Sequence, residues 1–377
     1  MIFPRIEHLD QVTPHVSFDR GFVVSRRPDH TVIDYVYTVP ETFSSAIALE
    51  CRGLKFDRDG RIIGRPFHKF FNLGERQRID QIDWSAPHHV LDKLDGSMVH
   101  PVRLDGTTVF MTRMGATGQA AAAQRHADPG LLDLAGHLLA GGITPIFEFT
   151  APDNRIVVAY ERPALTLLAA RAMVSGAYLP QAELVRLGAR FGIAVVRAGG
   201  PLADADAFVA RARREAGIEG YVLAFEDGYR LKLKTDGYVL RHRALTGVRL
   251  EKTVLAWVAA GAVDDVVPIL PETVAARLLA YQANIEARAA AHAADIRAFA
   301  AEHRGLPRKD YAALAFRRFD KRLTKAAFEA YDGRDPRGVI GGLLTYAAGS
   351  EGRVEAVRDL FGMAWSVDDL ALPEIEP

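Results

Sequence analysis

The alternation of hydrophobic and polar residues changes its period near residue 244. Before that point, short runs rich in β-branched and aromatic residues alternate with turn signals, which is typical of half-buried strands. Helices are predicted between them at residues 116–125 and 181–191. Strand runs mixed with separate helices indicate an α+β fold with antiparallel sheets. The predicted strands are residues 32–37, 54–56, 99–103, 108–113, 145–149, 156–160, 165–170, 221–225 and 229–234.

Asp-Gly pairs mark several turns in this first segment. Asp59-Gly60, Asp105-Gly106 and Asp227-Gly228 each stand between two predicted strands. Such pairs favour two-residue hairpin turns because both residues adopt a positive φ more readily than most. The sequence therefore predicts three antiparallel hairpins.

The second segment has a helical pattern. Within residues 271–304, large hydrophobic residues recur at steps of three or four, or their multiples, as on one buried helical stripe: Leu278, Tyr281, Ile285, Ile296 and Phe299. Pro271 stands where this helix would begin, and Gly305 with Pro307 would end it. We therefore predict two domains, residues 1–244 and an all-helical C-terminal domain at 245–377.

Composition adds little about partners. Lys plus Arg and Asp plus Glu both total 47, so a nucleic-acid surface would have to be a local patch. The single cysteine, Cys51, fits a reducing compartment. No apolar run approaches the ~20 residues that span a bilayer. A cytoplasmic location with no membrane contact is therefore expected.

The candidate chemistry begins with the run Lys93-Leu94-Asp95-Gly96-Ser97. Alone this run is a weak signal, since a charged β-turn explains it equally well. Five further polar elements, however, follow an order along the chain, and each begins or ends a predicted strand, so all could line one groove. They are Glu50-Cys51-Arg52-Gly53, Lys69-Phe70-Phe71-Asn72, Phe147-Glu148-Phe149, Glu219-Gly220-Tyr221-Val222 and Leu231-Lys232-Leu233-Lys234.

Each candidate also has a structural interpretation. Lys232 and Lys234 share one strand face, where lysines often protect a sheet edge. Glu148 stands between two phenylalanines, and a buried unpaired carboxylate there would be costly unless it has a function. Glu219 at a helix-to-strand junction could simply be solvated. No Gly-x-x-x-x-Gly-Lys loop is present, which disfavours a P-loop enzyme.

In their order, these elements resemble nucleotidyltransferase motifs I, III, IV and V of the covalent lysyl-nucleotide superfamily, which comprises DNA ligases, RNA ligases and mRNA capping enzymes. The Lys69-Phe70-Phe71-Asn72 element and the run at residues 147–157 resemble more narrowly the phage-type single-strand RNA ligase family, RNA ligase 1. The resemblance covers roughly residues 30–240. It implies a nucleotidyltransferase domain with ATP-grasp-like antiparallel sheets and helices.

The resemblance implies a role for each motif residue. Lys93 matches the nucleophile that receives AMP from ATP. Glu148 matches the residue that holds the ribose or orients metal-bound water, and Glu219 the residue that binds a divalent metal ion. Lys232 and Lys234 match lysines that contact the α-phosphate. The implied cofactors are ATP and Mg²⁺ or Mn²⁺.

Other matched positions extend the expected nucleotide site. Tyr35, Arg52 and Lys69 match residues that touch the triphosphate. Arg113 stands where the family often has a lysine, so the charge is kept but the donor geometry differs. Tyr238 matches a tyrosine important for activity in that family. Asp264 resembles a metal-associated aspartate of the family's C-terminal appendage.

The resemblance also implies a reaction and partners. The AMP would pass from Lys93 to an RNA 5′-phosphate, and a 3′-hydroxyl would then displace it. Repair of broken RNA, with tRNA as the candidate substrate and an end-healing kinase or phosphatase as a candidate partner, is the implied biology. The alternatives are a DNA ligase, a GTP-using capping-type enzyme, or an RNA-binding protein that has lost activity.

The chemistry makes a demand on the lysine amine, which must be neutral to attack phosphorus. Its ordinary pKa of ~10.4 would have to fall by ~3 units, or ~4 kcal/mol, to reach neutrality near pH 7. We expect the positive charges of Lys232, Lys234 and a bound metal ion to lower the pKa of Lys93.

Overall fold

The computed structural model describes residues 2–154, 156–370 and 372 of the chain. Its strands are β1 Phe22–Arg26, β2 His30–Tyr35, β3 Leu54–Asp57, β4 Ile62–Gly64, β5 Phe71–Asn72, β6 His88–Lys93, β7 Ser97–Leu104, β8 Thr107–Met111, β9 Ile143–Thr150, β10 Ala164–Ala172, β11 Ala198–Gly199, β12 Gly220–Phe225 and β13 Arg230–Lys234. They form three sheets, in the orders β1-β2-β3-β4, β10-β9-β7-β8 and β11-β6-β12-β13-β5.

The helices are α1 Ala46–Glu50, α2 Gly118–Arg125, α3 Pro129–Ala140, α4 Gln181–Phe191, α5 Ala205–Arg214, α6 Asp236–Gly247, α7 Glu251–Ala260, α8 Val263–Val266, α9 Glu272–Glu302, α10 Arg308–Arg318, α11 Thr324–Tyr331, α12 Arg337–Ala347, α13 Glu351–Glu355 and α14 Arg358–Phe361. All described strand pairs are antiparallel except β13 with β5. The predicted α+β class with antiparallel sheets is confirmed.

The three predicted hairpins are confirmed. Asp59-Gly60 joins β3 to β4, Asp105-Gly106 joins β7 to β8, and Asp227-Gly228 joins β12 to β13. At the second turn both residues have positive φ, 46° for Asp105 and 84° for Gly106. The local turn chemistry therefore sets the register of these hairpins.

The strand predicted at residues 156–160 is wrong. The structure has an irregular segment there, in which the backbone N–H groups of Val157 and Val158 both donate to the Asp95 carboxylate, at 2.7 and 2.6 Å. These N–H groups therefore donate to a buried side chain instead of to a neighbouring strand. The run has the composition of a strand, but it does not form one because its backbone N–H groups donate to an aspartate that is distant along the chain.

The sheet that contains β6 and β12 packs face to face against a second sheet, the one that contains β9 and β10. Leu91 of β6 and Ala224 of β12 form a small apolar cluster against which Leu168 of β10 packs. The other face of the second sheet is covered by α2, α3 and α4, through residues such as Leu134 and Leu184. The same two sheets carry Lys93 on β6 and Glu148 on β9, whose side chains interact, and we call the space around these two side chains the groove.

The chain divides into two compact units, one running up to Val239 and the other spanning Leu240–Leu372. The second unit is helical among its described residues, and its core includes the predicted stripe from Leu278 to Phe299. Pro271 is the N-cap of α9, as predicted. The predicted domain boundary at residue 244 lies in α6, as does the point of division, and stays a prediction. No helix in the described parts of the chain is long and apolar enough to cross a membrane.

Candidate active site

Lys93 ends β6 beside a buried carboxylate. β6 pairs with β12 so that Lys93 faces Gly220, the residue after Glu219. The Lys93 Nζ donates to the Glu219 Oε2 at 2.7 Å. Gly220 has φ +144°, and a Cβ there would lie 2.0 Å from the Leu233 carbonyl oxygen of β13. Glycine is therefore required at this position for three strands to meet at the lysine.

Glu219 lies between two ammonium groups. Its second oxygen, Oε1, is 3.0 Å from the Lys234 Nζ at the end of β13. The carboxylate side chain is only 3% exposed. Burial raises the pKa of Glu219, but the charges of Lys93 and Lys234 outweigh it and lower the pKa below its ordinary value. Glu219 is therefore an anion that both lysines hold in place.

Glu148, on the second sheet, lies close enough to Lys93 and Glu219 for their charges to interact. It lies in β9 opposite Met98 of β7, and its Oε1 accepts a hydrogen bond from the Gly96 backbone N–H at 3.1 Å. A Cβ at Gly96 would lie 2.3 Å from the Phe149 carbonyl oxygen, so the close approach needs glycine. Burial, opposed by the charge of Lys93 and reinforced by that of Glu219, raises the pKa of Glu148 to about 8.

The charge state of Lys93 differs from the expectation. Burial favours the neutral amine, but the carboxylates of Glu219 and Glu148 outweigh it and raise the pKa of Lys93. The lysine with a lowered pKa is instead Lys232. Burial and the neighbouring positive charges, among them Arg52 and Lys93, bring its pKa well below the ordinary value. In this arrangement the predicted nucleophile is an ammonium ion.

The predicted triphosphate residues also come together. The Lys69 Nζ donates to the Tyr35 hydroxyl at 3.3 Å, and the Arg113 guanidinium lies 4.7 Å from the Tyr35 ring centroid. The Arg52 Nη1 contacts the Met98 sulfur at 3.4 Å. Burial raises the pKa of the Tyr35 hydroxyl, but the charges of Arg52, Lys69 and Arg113 outweigh it and lower that pKa. Three cations therefore surround one buried tyrosine.

Asp95 organises the loop after the nucleophile, a role that the sequence reasoning missed. It is 1% exposed, and its Oδ1 accepts from the Tyr238 hydroxyl at 2.8 Å. Its backbone N–H donates to the Tyr160 hydroxyl at 2.9 Å. With its bonds to the backbone of Val157 and Val158, this carboxylate ties three separated segments together. The position of Asp95 directly before a glycine and two residues after Lys93 is the sequence signal for this structural role, but the motif by itself does not indicate it.

A second buried network of charges joins Glu50 to two arginines. Glu50 accepts from the Arg171 Nη1 and Nη2 at 2.7 and 2.8 Å and from the Arg65 Nε at 3.1 Å. All three side chains are at most 1% exposed. Burial raises the pKa of Glu50, but both guanidinium groups outweigh it and lower it to about 2. Glu50 therefore anchors the segment that carries Arg52.

The two predicted metal ligands, Glu219 and Asp264, differ in their surroundings. The carboxylates of Glu148 and Glu219 are the hard oxygen donors that Mg²⁺ and Mn²⁺ prefer, and Mg²⁺ sites commonly take one or two carboxylates plus substrate phosphates. Asp264 is exposed on α8, in the second unit. Among the described residues, no cluster of three or more His, Cys, Asp or Glu side chains could hold a metal ion alone. The assignment of Asp264 stays a prediction.

Comparisons with known proteins give the family. A family model described as RNA ligase matches residues 50–238. A putative RNA ligase of Thermovibrio ammonificans is 30% identical over 251 residues, which span 63% of this chain and 64% of that protein. RNA ligase 1 of bacteriophage TS2126 is 32% identical over 173 residues, 42% of this chain and 44% of the phage protein. The chain thus spans less than two thirds of the length of either relative.

Solved structures of similar proteins have low identity to the chain. An archaeal ATP-dependent RNA ligase, form 2, is 19% identical and superposes with a TM-score of 0.48 over 64% of each chain. A putative ATP-dependent DNA ligase from Aquifex aeolicus is 15% identical, with a TM-score of 0.45 over 72% of this chain and 70% of the other. Because the family model matches half of the 377 residues, including Lys93, Glu148, Glu219 and both β13 lysines, the chain belongs to the RNA ligase family.

Proposed function

We propose that the chain is an ATP-dependent RNA ligase in which Lys93 carries AMP as a covalent intermediate. The observation that supports this most directly is the position of the Lys93 Nζ, 2.7 Å from Glu219 in a half-buried groove. Glu148, Lys232 and Lys234 approach the same groove from two sheets. Two buried carboxylates, those of Glu219 and Glu148, act on the charge of this lysine.

The cations of the groove suit a triphosphate. Lys232, Lys234 and Lys69 supply ammonium groups, while Arg52 supplies a planar fork that can bind phosphate oxygens in pairs. Arg113 is buried against Asp34 and Tyr35 and would contribute its positive charge. Burial lowers the pKa of Lys232, and a phosphate beside it would restore its charge. The anion and the buried lysine therefore stabilise each other. These groups would also offset the charge that develops on the α-phosphate and the leaving pyrophosphate.

Lys93 must lose its proton before it can react. Burial alone disfavours its ammonium form, and the Glu219 and Glu148 carboxylates are what raise its pKa. When these carboxylates are engaged elsewhere, the same burial favours the neutral amine. Glu148 and Glu219 would hold a divalent ion, Mg²⁺ or Mn²⁺, whose charge would offset that of the bound phosphates. What Glu219 contacts would thus determine whether Lys93 is charged or neutral.

The proposed reaction has three steps. The neutral Lys93 Nζ attacks the α-phosphorus of ATP, a phosphorus–nitrogen bond forms, and the bond to pyrophosphate breaks. The 5′-phosphate of an RNA next attacks the same phosphorus, which forms a phosphoanhydride bond and breaks the bond to Lys93. A 3′-hydroxyl then attacks the RNA 5′-phosphate, forms the phosphodiester and releases AMP. Lys232 and Lys234 remain beside the α-phosphate throughout. Repair of broken RNA, including tRNA, is the biological role that we propose.

Labelled nucleotides test the proposal. Purified protein is incubated with labelled ATP or GTP and a divalent ion, and the protein is separated on a denaturing gel. We expect label from ATP only, and joining of RNA that has 5′-phosphate and 3′-hydroxyl ends. Lys93→Arg is the decisive variant, because it keeps a cation beside Glu219 but cannot be deprotonated. Lys309→Ala, at an exposed position of α10, is the matched control and should behave as wild type.

The opposite results are equally specific. Label from GTP would indicate a capping-type enzyme, and joining of DNA in preference to RNA would indicate a DNA ligase. A wild-type protein that binds RNA but takes no label from either nucleotide would contradict the catalytic proposal.

A further inference from the structure

A tyrosine hydroxyl lies beside the loop that follows the proposed nucleophile. The Asp95 backbone N–H donates to the Tyr160 hydroxyl oxygen at 2.9 Å. Asp95 follows Lys93 by two residues, so their Cα atoms are at most ~7.6 Å apart. The carboxylates of Glu148 and Glu219 act on the charge of the Tyr160 phenol, as they do on that of Lys93. Tyr160 therefore lies close to the groove, although it belongs to none of the predicted motifs.

Hydrogen bonds hold the segment that carries Tyr160 against this loop. The Ser97 hydroxyl donates to the Asn154 Oδ1 at 3.1 Å. The Val157 and Val158 N–H groups donate to the Asp95 carboxylate. The half-buried Tyr160 follows two residues later. These bonds fix the backbone that precedes the tyrosine, so its side chain reaches the Asp95 N–H from a defined position.

The Tyr160 hydroxyl has a hydrogen that it can donate. A phenol oxygen can accept one hydrogen bond while its O–H donates another. This oxygen accepts from Asp95, and the contacts among the described residues include no acceptor for the O–H. Burial, opposed by the hydrogen bond from Asp95 and reinforced by the charges of Asp95, Glu148 and Glu219, raises the pKa of Tyr160 to about 12. The phenol therefore stays protonated near neutral pH and can donate to a ligand beside Lys93.

The charges around Tyr160 indicate what kind of acceptor fits. The three carboxylates that act on the phenol would repel an anionic acceptor such as a phosphate. A sugar hydroxyl is neutral, accepts a hydrogen bond from the phenol and can donate its own hydrogen to a carboxylate. In ATP, the ribose is the uncharged part bonded directly to the α-phosphate that Lys93 would attack. The surroundings of Tyr160 therefore suit the ribose better than the phosphates.

We propose that Tyr160 is a further nucleotide-binding residue, whose hydroxyl donates to a ribose hydroxyl of ATP. This inference rests on the proposed function, because it requires ATP to bind with its α-phosphate beside Lys93. The hydrogen bond would favour ATP over the deoxynucleotide that lacks the contacted hydroxyl. A tyrosine that only held the loop in place would instead affect the binding of every nucleotide equally.

Nucleotide binding tests this contact separately from the chemistry on Lys93. Calorimetry measures the dissociation constants of ATP, 2′-deoxy-ATP and 3′-deoxy-ATP with Mg²⁺ in the Lys93→Arg protein, whose arginine stays charged and cannot react. Adding Tyr160→Phe should weaken ATP binding about 10-fold, which is ~1.4 kcal/mol. It should leave the binding of one deoxynucleotide unchanged, namely the one that lacks the contacted hydroxyl. Tyr229→Phe, which loses a hydroxyl bond to Gln77, is the matched control and should bind all three nucleotides as its parent does.

Three results would overturn the inference. Weakening by the same factor for all three nucleotides would show that Tyr160 only holds the loop. Unchanged ATP binding in Tyr160→Phe would show that the hydroxyl makes no contact with the nucleotide, and a Lys93→Arg protein that binds none of the three would remove the ligand altogether. The predicted binding pattern together with a wild-type protein that forms no AMP adduct would contradict the catalytic proposal alone.

Discussion

The Lys93 ammonium and the Glu219 carboxylate form an ion pair whose Nζ–Oε2 distance is 2.7 Å. It holds the proposed nucleophile in its unreactive, charged form, although burial alone would favour the neutral amine. The proposed enzyme would therefore switch its nucleophile on by changing what Glu219 contacts, and the following predictions test the charges and contacts involved.

Glu219→Gln should lower the pKa of Lys93, because it removes the largest of the interactions that raise it. The measurement is the pH dependence of modification of Lys93 by an amine-specific reagent, quantified by peptide mass spectrometry. Glu215→Gln is the control, since the Glu215 carboxylate contacts Arg211 and Tyr221. An unchanged Lys93 profile in Glu219→Gln would contradict the assignment of this charge state.

Glu148→Gln should change stability in a pH-dependent way. Folding raises the pKa of Glu148 from 4.5 to about 8, so its contribution to stability is full below pH 4.5 and is lost as pH rises through about 8. At ~1.4 kcal/mol per pKa unit, this loss is at most ~5 kcal/mol. Urea unfolding should show Glu148→Gln close to wild type at pH 5 and more stable than wild type at pH 9. A difference that is the same at both pH values would contradict the raised pKa.

Glu50→Gln should destabilise the protein by roughly 3–5 kcal/mol, because it leaves Arg65 and Arg171 buried without their shared carboxylate. The pKa of Glu50 is lowered to about 2, so its contribution is present above pH 4.5 and is lost as pH falls through about 2. Thermal unfolding near neutral pH measures the effect. Asp80→Asn, which breaks the exposed pair with Arg78, should have no measurable effect.

Tyr238→Phe should slow formation of the protein–AMP adduct about 10-fold, equivalent to ~1.4 kcal/mol. The change removes the hydrogen bond to Asp95, which fixes the loop after Lys93. Single-turnover rates with labelled ATP measure it, and Tyr229→Phe, which loses a bond to Gln77, is the control. Equal rates in both variants would show that the Asp95 contact does not position the nucleophile.

The elements that the sequence predicted well are those set by local chemistry. The Asp-Gly hairpins follow from φ preferences of adjacent residues, and α9 follows from a hydrophobic period between Pro271 and Gly305. Order along the chain also indicated which motifs could share a groove. The structure brings Lys93, Glu148, Glu219 and Lys234 to one place through the pairings of β6 with β12 and of β7 with β9.

What the sequence could not give depends on partners distant along the chain. Lys93 was expected to lie among cations, but the register of β6 against β12 places it on Glu219, 126 residues away. Likewise, the run at 156–160 has strand composition, yet its amides bond to Asp95. The Glu50–Arg171 pair spans 121 residues. Such contacts appear only when the sheets are assembled.

The site of covalent modification is the most direct test of the whole account. Wild-type protein is incubated with ATP and Mg²⁺, digested, and its peptides are sequenced by tandem mass spectrometry. The account predicts one AMP adduct, on Lys93, that is absent from Lys93→Arg. An adduct on any other lysine, or one that persists in Lys93→Arg, would contradict it.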